Sequence, residues 1–498
     1  MSQFVSTRNK NDIVNEFEAI VKGLSNDGGL YTPVSFKTID IDNLYNISKV
    51  DNKISYNKLS SILLKNFFDD YELNGLESFV NKAYSLFDDE DVTPTTKIGD
   101  DFLLELYHGP TSAFKDVALT ILPHLMTSSY KKINIDKLIY ILCATSGDTG
   151  KAALEGFKDV DNTYITVFYP KGAVSATQEL QMITTTGNNT NVVSVNANFD
   201  ECQKIVKECM NNREEILKNK NVLFSSANSI NIGRLIPQVV YYFKSYFDLV
   251  NTGEIKMGDK INFIVPTGNF GDILAGYFAK KIGLYIDKLV CATNKNDVLD
   301  EFLNTGVYNA DREFYETISP SMDILVSSNL ERLLFIESGC DSEYVKQLMT
   351  ELNDNKKYTL RDDVFKNIKQ TFLSYKCDDE NIINTIKESY EKYNRVIDTH
   401  TACAVYATWN LKKQLGNNKN VILSTASPYK FSKSVLKAIC NTDIDDDFQC
   451  MRELNKLSNI KVPTNLVNLK TMDILHDVNI DAKNGVNYIK TNINKMTS

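Results

Sequence analysis

The chain is poor in the residues on which metal and disulfide chemistry depend. Only 4 histidines occur among 498 residues, and they form neither an HExxH pattern nor another paired metal-ligand spacing. This argues against a zinc hydrolase, and we predict no metal site. The 9 cysteines include no CxxC pair, and their odd number leaves at least one free thiol. In a long chain this pattern is typical of a reducing compartment with mostly buried, inert thiols.

Long apolar runs and dense basic stripes are also missing. No apolar run is long enough to cross a bilayer, and the opening residues MSQFVSTRNK lack the apolar stretch of a secretion signal. The formal net charge of −9 argues against nucleic acid as a partner. It leaves a small anionic substrate possible, because local backbone dipoles bind anions whatever the global charge. We therefore expect a cytoplasmic protein, a monomer or homodimer, that acts on a small molecule.

What the chain does contain is ordinary globular composition, 43% hydrophobic and 24% charged, over a length that predicts two or more domains. Residues 1–95 are polar with helical periodicity, as in Ile13–Val21, and we predict an N-terminal accessory helical region there. Residues 96–435 alternate short apolar runs with amphipathic stretches, which predicts two interleaved α/β domains. Within them, the charged stretch 305–400 is interpreted as a helical insertion, and 436–498 as a C-terminal extension without assignable chemistry.

Three units of the α/β region share one design: a buried strand, a loop of small polar residues and a helix. Their strands and loops are Leu138–Cys143 with Ala144–Gly150, Ile261–Val265 with Pro266–Asp272, and Val421–Leu423 with Ser424–Pro428. Each loop brings backbone N–H groups and hydroxyls to the carboxyl edge of a sheet, where α/β proteins bind ligands.

Two of these loops are candidate anion sites. Gly268–Asp272 opens a helix with glycines that let the backbone approach a phosphate, although a plain tight turn explains the same residues. Ser146–Gly150 offers hydroxyls and N–H groups, but it is equally an N-cap cluster. Asp148 does not suit an anion cradle unless it contacts a hydroxyl or an ammonium group.

Lys115 is a candidate for amine chemistry. It follows a Gly109-Pro110 turn and stands near the start of an amphipathic helix. Burial and a helix N-terminus both disfavour the ammonium form, which would lower the pKa and supply a free amine for a Schiff base. The alternative is a solvated surface lysine.

Taken together, these stretches resemble the threonine synthase family, in its long bacterial and fungal branch. The matching segments run in the family's order from about residue 6 to residue 435. They are Asp27–Tyr31, Tyr107–Thr111, Phe114–Asp116, Ala144–Gly150, Tyr169–Gly172, Gln178–Met182, Asn228–Tyr242, Gly268–Gly271, Asp398–Ala402 and Ser424–Phe431.

The resemblance implies the fold of the tryptophan synthase β subunit, with pyridoxal phosphate between two α/β domains. It implies that Lys115, beside Phe114, carries the cofactor as a Schiff base, and that Thr425 meets the pyridine nitrogen. The position of Asp148 is one at which an Asn of related proteins contacts the ring hydroxyl. The cofactor phosphate would bind the loop Gly268, Asn269, Phe270, Gly271 and Asp272.

The implied reaction turns O-phospho-L-homoserine and water into L-threonine and phosphate. The substrate carboxylate would bind Ser146, Gly147 and Thr149. We assign the substrate phosphate to Arg234 with Asn228, Ser229 and Asn231, because a guanidinium suits phosphate geometry. An interdomain ion pair is the alternative for Arg234.

Other functions stay open at this point. A related phospho-lyase would release 2-oxobutyrate instead of completing the addition of water, and a non-catalytic pyridoxal-phosphate-binding protein is a further alternative. A cysteine synthase fits less well with the long N-terminal region. A nicotinamide dehydrogenase is disfavoured because no GxGxxG pattern with a following acidic residue is present.

Three positions depart from the family pattern or raise a physical question. Ser427 stands where the family commonly has His, and Thr399 stands where it commonly has Pro. Asp272 places a carboxylate at the end of the phosphate loop, which is unfavourable unless it faces away or accepts hydrogen bonds.

Overall fold

Two mainly parallel sheets organise the chain in the computed structural model, which describes residues 2–458 and 460–497. The first has five parallel strands, in the spatial order Val222–Ser225, Leu138–Ala144, Thr163–Pro170, Thr190–Val195 and Val478–Ile480. The second has six, in the order Phe372–Lys376, Ile286–Thr293, Ile261–Pro266, Asn420–Ser424, Asp101–Glu105 and Thr95–Ile98, of which the last is antiparallel. Helices cover these sheets, so their central strands are continuous apolar runs, and the predicted α/β class is confirmed.

Helices separate most of the strands along the chain. Those of eight residues or more are Tyr56–Phe67, Leu73–Tyr84, Leu122–Lys132, Asp148–Phe157, Ala176–Ile183, Phe199–Asn211, Val239–Asn251, Gly271–Lys281, Val298–Thr305, Leu330–Glu337, Ser342–Asn355, Asp362–Thr371, Asp379–Tyr393, Thr399–Asn410, Ser432–Cys440, Asp447–Leu457 and Gly485–Thr497. Shorter helices are Glu16–Lys22, Ile41–Ile47, Lys115–Leu119, Arg213–Ile216, Ile232–Leu235, Lys412–Leu415 and Thr464–Val467.

The three predicted strand–loop–helix units are all present. The strand Leu138–Ala144 leads to the helix that begins at Asp148, and Ile261–Pro266 leads to the helix that begins at Gly271. The third strand, Asn420–Ser424, is followed by the short 3₁₀ turn Pro428–Phe431 before its helix begins. Because these strands are parallel within their sheets, their loops lie at the carboxyl edges.

The N-terminal region is helical only in part. Its first 33 residues contain a three-stranded antiparallel sheet, formed by Gln3–Ser6, Asn9–Asn15 and Tyr31–Pro33. The helical prediction is therefore wrong for Ile13 and Val14, which lie on a strand. The helix starts at Glu16 because Asn15 is extended and caps it, with Glu18 completing a capping box.

The stretch 305–400 contains four helices of eight residues or more between its ends, and it also supplies parts of the central architecture. Its strand Phe372–Lys376 is the edge of the second sheet, and its segment 319–332 reaches the candidate site described below. The C-terminal strand Val478–Ile480 is likewise the edge of the first sheet. The division into three regions stays a prediction.

Several bulk features of the described residues bear on the sequence analysis. All nine cysteines are free, and seven of them are buried. No helix in the described part of the chain is both long and apolar enough to span a membrane.

The buried Arg332 joins the N-terminal region to two loops of the core. Its guanidinium donates to the carbonyl oxygen of Tyr31 at 2.9 Å, to that of Ile230 at 2.6 Å and to Oδ1 of Asn329 at 2.5 Å. Burial lowers its pKa to about 9. Because three separate segments depend on one side chain, Arg332 stabilises their relative positions.

Replacing Arg332 with Met is expected to lower the free energy of unfolding by about 2–4 kcal/mol, because three buried acceptors lose their donor. Thermal and urea unfolding measure the change. The control is Arg361→Met, since Arg361 is exposed and its surface ion pairs contribute little. Equal effects of the two substitutions would contradict this role.

Candidate active site

Lys115 lies where loops from both sheets meet, and it is not a surface lysine. It begins the short helix Lys115–Leu119, and only 10% of its side chain is exposed. Its Nζ is 3.7 Å from Oδ2 of Asp148 and 4.8 Å from the centre of the Phe114 ring. The two predicted candidates therefore converge, although Lys115 lies outside the three strand–loop–helix units and Asp148 begins the helix of the first.

Burial shifts the Lys115 amine toward its neutral form. Desolvation lowers the pKa to about 8, the nearby Asp148 opposes this decrease, and the cations Arg234 and Lys430 reinforce it. The free-amine form is consequently more populated near neutral pH than in an ordinary lysine. This is the state that nucleophilic chemistry requires.

Asp148 is a buried carboxylate with several donors and does not cap its own helix. Oδ1 is 2.7 Å from Nζ of Lys430 and accepts a hydrogen bond from Nε2 of Gln178 at 3.0 Å. Oδ2 accepts one from the Ser321 hydroxyl at 3.2 Å. Burial alone would raise the pKa of Asp148, but Lys430 and Lys115 hold it below its usual range. Asp148 thus contacts ammonium groups and a hydroxyl. These are the contacts that the sequence analysis required for a carboxylate in this loop.

The loop around Asp148 needs glycine at position 147, because of its backbone conformation and because the Gln178 side chain approaches closely. Gly147 has a φ of 142°, and a Cβ on it would lie 2.5 Å from the Gln178 side chain. The N–H groups of Gly147 and Gly150 donate to the hydroxyl of Thr145 at 3.0 and 2.9 Å. The N–H of Gly147 is therefore engaged within the loop, while Ser146 and Thr149 stay partly exposed.

The loop Gly268–Asp272 has the geometry of a phosphate cradle. Phe270 adopts a left-handed φ of 63° and precedes the helix Gly271–Lys281, whose first N–H groups have no partner within the helix. A Cβ on Gly268 would lie 3.0 Å from the carbonyl oxygen of Ser321, so that position is confined by backbone. The side chain and N–H of Asn329 both donate to the carbonyl oxygen of Asn269, which braces the loop.

Asp272 faces tyrosines. Its Oδ1 accepts hydrogen bonds from the hydroxyls of Tyr241 at 2.5 Å and Tyr242 at 2.9 Å. Burial raises its pKa to about 6, although these hydrogen bonds lower it. The carboxylate is thereby stabilised by hydroxyl donors, which answers the physical question that the sequence raised.

Arg234 is a buried cation for which no carboxylate partner is found among the described residues. It is 5% exposed, its Nη1 donates to the carbonyl oxygen of Ala227 at 2.9 Å, and burial lowers its pKa to about 10. The interdomain ion pair considered for it is thus not observed. A buried guanidinium without a counter-charge is a favourable place for an anion.

The neighbours of Arg234 differ in how free their side chains are. Asn231 is fully buried, caps the helix Ile232–Leu235, and uses its amide to bind the carbonyl oxygens of Ile20 and Ser226. Asn228 and Ser229 are half-buried, and Cβ of Ser229 lies 3.7 Å from the Cβ position of Gly271. The structure therefore brings Ser229 to the phosphate loop and gives Asn231 a structural task.

Thr425 and Ser427 hold the Lys115 segment. The N–H of Phe114 donates to the carbonyl oxygen of Thr425 at 2.8 Å, and the N–H of Ser427 donates to that of Ser112 at 3.0 Å. The Ser427 hydroxyl caps the turn Pro428–Phe431, so this departure from the family pattern has a local structural role.

His400 connects the site to the segment around Ser321. Its Nε2 must be unprotonated, because it accepts a hydrogen bond from the N–H of Ser321 at 3.1 Å. Nδ1 then carries the proton and donates to Asp398, 2.9 Å away. The other departure, Thr399, is the first residue of the helix that Asp398 caps.

Three residues that contact Asp148 were not assigned from the sequence. Lys430 and Gln178 lie in stretches that carry the family resemblance, so their positions were available as a signal. Ser321 lies in the stretch 305–400, where no local pattern distinguishes it. All three contact Asp148, and this contact is visible only in the folded chain.

The described residues fit pyridoxal phosphate. The free-amine tendency of Lys115 suits an aldehyde, and the helix start at Gly271 suits a phosphate. The Asp148 carboxylate lies beside Lys115, and the backbone carbonyl of Thr425 accepts the N–H of the adjacent Phe114. No group of three or more metal-binding side chains is present among the described residues.

Comparison with known proteins agrees with this fit. Residues 3–84 match the family model "Threonine synthase N terminus", residues 95–426 match "Pyridoxal-phosphate dependent enzyme", and residues 401–475 match "Threonine synthase, C-terminal". Threonine synthase of Saccharomyces cerevisiae is 38% identical over 92% of this chain and 93% of its own length.

Two solved structures are similar over nearly the whole chain. The PLP-bound threonine synthase of Brucella melitensis has a TM-score of 0.88 and 33% identity, with 100% of each chain covered. Threonine synthase from yeast has a TM-score of 0.87 and 35% identity, with 99% of each chain covered. The chain therefore belongs to the threonine synthase family of pyridoxal-phosphate-dependent enzymes, which confirms the fold and the cofactor that its sequence motifs implied.

Proposed function

We propose that this protein converts O-phospho-L-homoserine and water into L-threonine and phosphate, with Lys115 as the residue that carries pyridoxal phosphate and moves the protons. The observation that supports this most directly is the buried Lys115 amine beside Asp148, at the junction of the two sheets. The full-length similarity to threonine synthases supports the same reaction.

Lys115 would hold the cofactor covalently. Phe114, Asp148 and Thr425 would surround the cofactor ring, and the loop Gly268–Asp272 would hold the cofactor phosphate. When bound, pyridoxal phosphate withdraws electrons from the amino-acid substrate and makes its Cα–H and Cβ–H bonds acidic. The protein's part is to orient the reacting atoms and to supply bases and anion sites.

Lys115 is the base in this proposal. Once the substrate amine displaces it, Lys115 removes the proton from Cα and then transfers protons at Cβ. Its pKa of about 8 leaves it able both to accept and to return a proton near neutral pH. With Cα and Cβ each deprotonated, phosphate would leave Cγ with its bonding electrons, and a proton returned to Cγ would form the methyl group. A water oxygen would then add at Cβ and give up one proton, and a proton returned to Cα would complete threonine.

Two anion sites would orient the substrate. Arg234, buried without a carboxylate partner among the described residues, would bind the leaving phosphate together with Ser229 and Asn228. Ser146 and Thr149 would bind the substrate carboxylate, while Gly147, whose N–H already donates to the Thr145 hydroxyl, would shape the loop between them. Asn231 supports the first site through the loop that it caps.

We further propose a cytoplasmic enzyme, a monomer or homodimer, that acts on this small molecule and not on nucleic acid. The net charge of −9 and the nine free cysteines support this proposal.

The purified protein is expected to show visible absorbance from covalently attached cofactor, and the absorbance should shift when O-phospho-L-homoserine is added. Released phosphate and threonine, quantified together, should match mole for mole. Phosphate accompanied by 2-oxobutyrate would instead identify a phospho-lyase, and absorbance without turnover would identify a non-catalytic binding protein.

Replacing Lys115 with Ala is expected to abolish covalent attachment of the cofactor and to lower kcat by at least about 100-fold, the usual contribution of a positioned base. The visible spectrum and phosphate release measure the two effects. Lys132→Ala is the control, since Lys132 is an exposed helical lysine. A normal spectrum and normal turnover in the Lys115 variant would reject Lys115 as the residue that carries the cofactor and acts as the base.

Replacing Arg234 with Ala is expected to raise the KM for O-phospho-L-homoserine by about 10- to 100-fold, because a charged hydrogen bond to phosphate contributes about 1.5–3 kcal/mol. Steady-state kinetics measure the change, and the cofactor spectrum should persist. The control is Arg452→Ala at an exposed position. Unchanged KM and kcat would reject the substrate-phosphate role.

A further inference from the structure

Lys430 is a buried cation to which the proposed reaction gives no task. Its side chain is fully buried in the turn Pro428–Phe431. Its ammonium donates to the carbonyl oxygen of Thr111 at 2.9 Å and lies 2.7 Å from Oδ1 of Asp148. A buried ammonium is costly without partners, so these two acceptors hold Lys430 in place.

The two lysines share the Asp148 carboxylate unequally. Lys430 is in close contact with Oδ1, whereas the Nζ of Lys115 is 3.7 Å from Oδ2. Gln178 and Ser321 supply two more donors, at 3.0 and 3.2 Å. Three donors are therefore closer to the carboxylate than Lys115 is.

Three further charged groups face the two lysines. Asp116 acts on both, Arg234 acts on Lys115, and Asp272 is influenced by Lys115. Asp116 is itself occupied, because its carboxylate accepts hydrogen bonds from the N–H and hydroxyl of Thr111. Asp272 is occupied by tyrosine hydroxyls. Asp148 is thus the carboxylate that could pair closely with Lys115.

We propose that Lys430 is a positioning residue that occupies the Asp148 carboxylate and so prevents a close ion pair between Asp148 and Lys115. This inference rests on the proposed role of Lys115. With Lys430 in place, the Lys115 amine stays available for reaction. Without Lys430, the carboxylate turns to the remaining cation and holds it as an ammonium ion.

The expected consequence is a change in the pH at which Lys115 becomes reactive. In the wild-type protein the neutral amine should increase as pH rises through about 8. In Lys430→Met the midpoint should move upward by about 1 unit or more, because a close carboxylate favours the charged lysine and a repelling cation is lost. Lys430→Arg, which keeps a cation beside Asp148, should restore most of the wild-type midpoint.

The measurement uses the full-length chain freed of cofactor. Acetic anhydride acylates the unprotonated form of an amine and not the ammonium ion, and mass spectrometry of the Lys115 peptide gives the modification rate at each pH. Circular dichroism and the melting temperature establish that each variant is folded. Where Lys430→Met does not fold, Lys430→Gln replaces it, since the amide retains a hydrogen-bond donor without the charge.

A double-mutant cycle separates occupation of the carboxylate from simple charge repulsion. In the background of Asp148→Asn, removal of Lys430 should shift the midpoint by less than half as much as in the wild-type background. An equal shift in both backgrounds, or no shift in either, would overturn the proposal.

A separate readout keeps this inference apart from the proposed function. Borohydride reduction followed by peptide mapping shows whether the wild-type chain attaches pyridoxal phosphate at Lys115. Failure there rejects the proposed function. Attachment at Lys115 together with an unshifted midpoint in the Lys430 variants rejects only the positioning role.

Discussion

The buried carboxylate of Asp148 is the charge around which the candidate site is arranged. A carboxylate removed from water is costly unless cations and hydrogen-bond donors surround it, and Lys430, Gln178 and Ser321 supply them. These donors come from different parts of the chain, so the ionised state of Asp148 depends on complete assembly of both sheets. The same assembly places the Lys115 amine beside it in a desolvated setting.

A second constraint is the placement of anion sites away from that carboxylate. The helix start at Gly271 and the buried Arg234 offer positive potential, and neither meets a carboxylate that neutralises it among the described residues. Asp272, which is close in sequence, is engaged by Tyr241 and Tyr242. The hydroxyl donors thereby stabilise the Asp272 carboxylate at the start of this helix.

The segment 319–332 unites these parts. Ser321 contacts Asp148, Asn329 braces the loop at Asn269, and Arg332 reaches the loop that precedes Arg234. In sequence this segment lies inside a charged, largely helical stretch. Its hydrogen bonds nevertheless span from the N-terminal region to both candidate phosphate loops.

By itself, the sequence determined the α/β class, the three strand–loop–helix units, and the motifs around Lys115, Asp148 and Gly268, because buried strands and glycine-rich loops leave local patterns. Only the tertiary structure decided what surrounds them. It paired Lys430 with Asp148 and turned Asp272 toward tyrosines. Ion pairs and hydrogen bonds between residues that are distant in sequence leave no periodicity, so they appear only when the chain is folded.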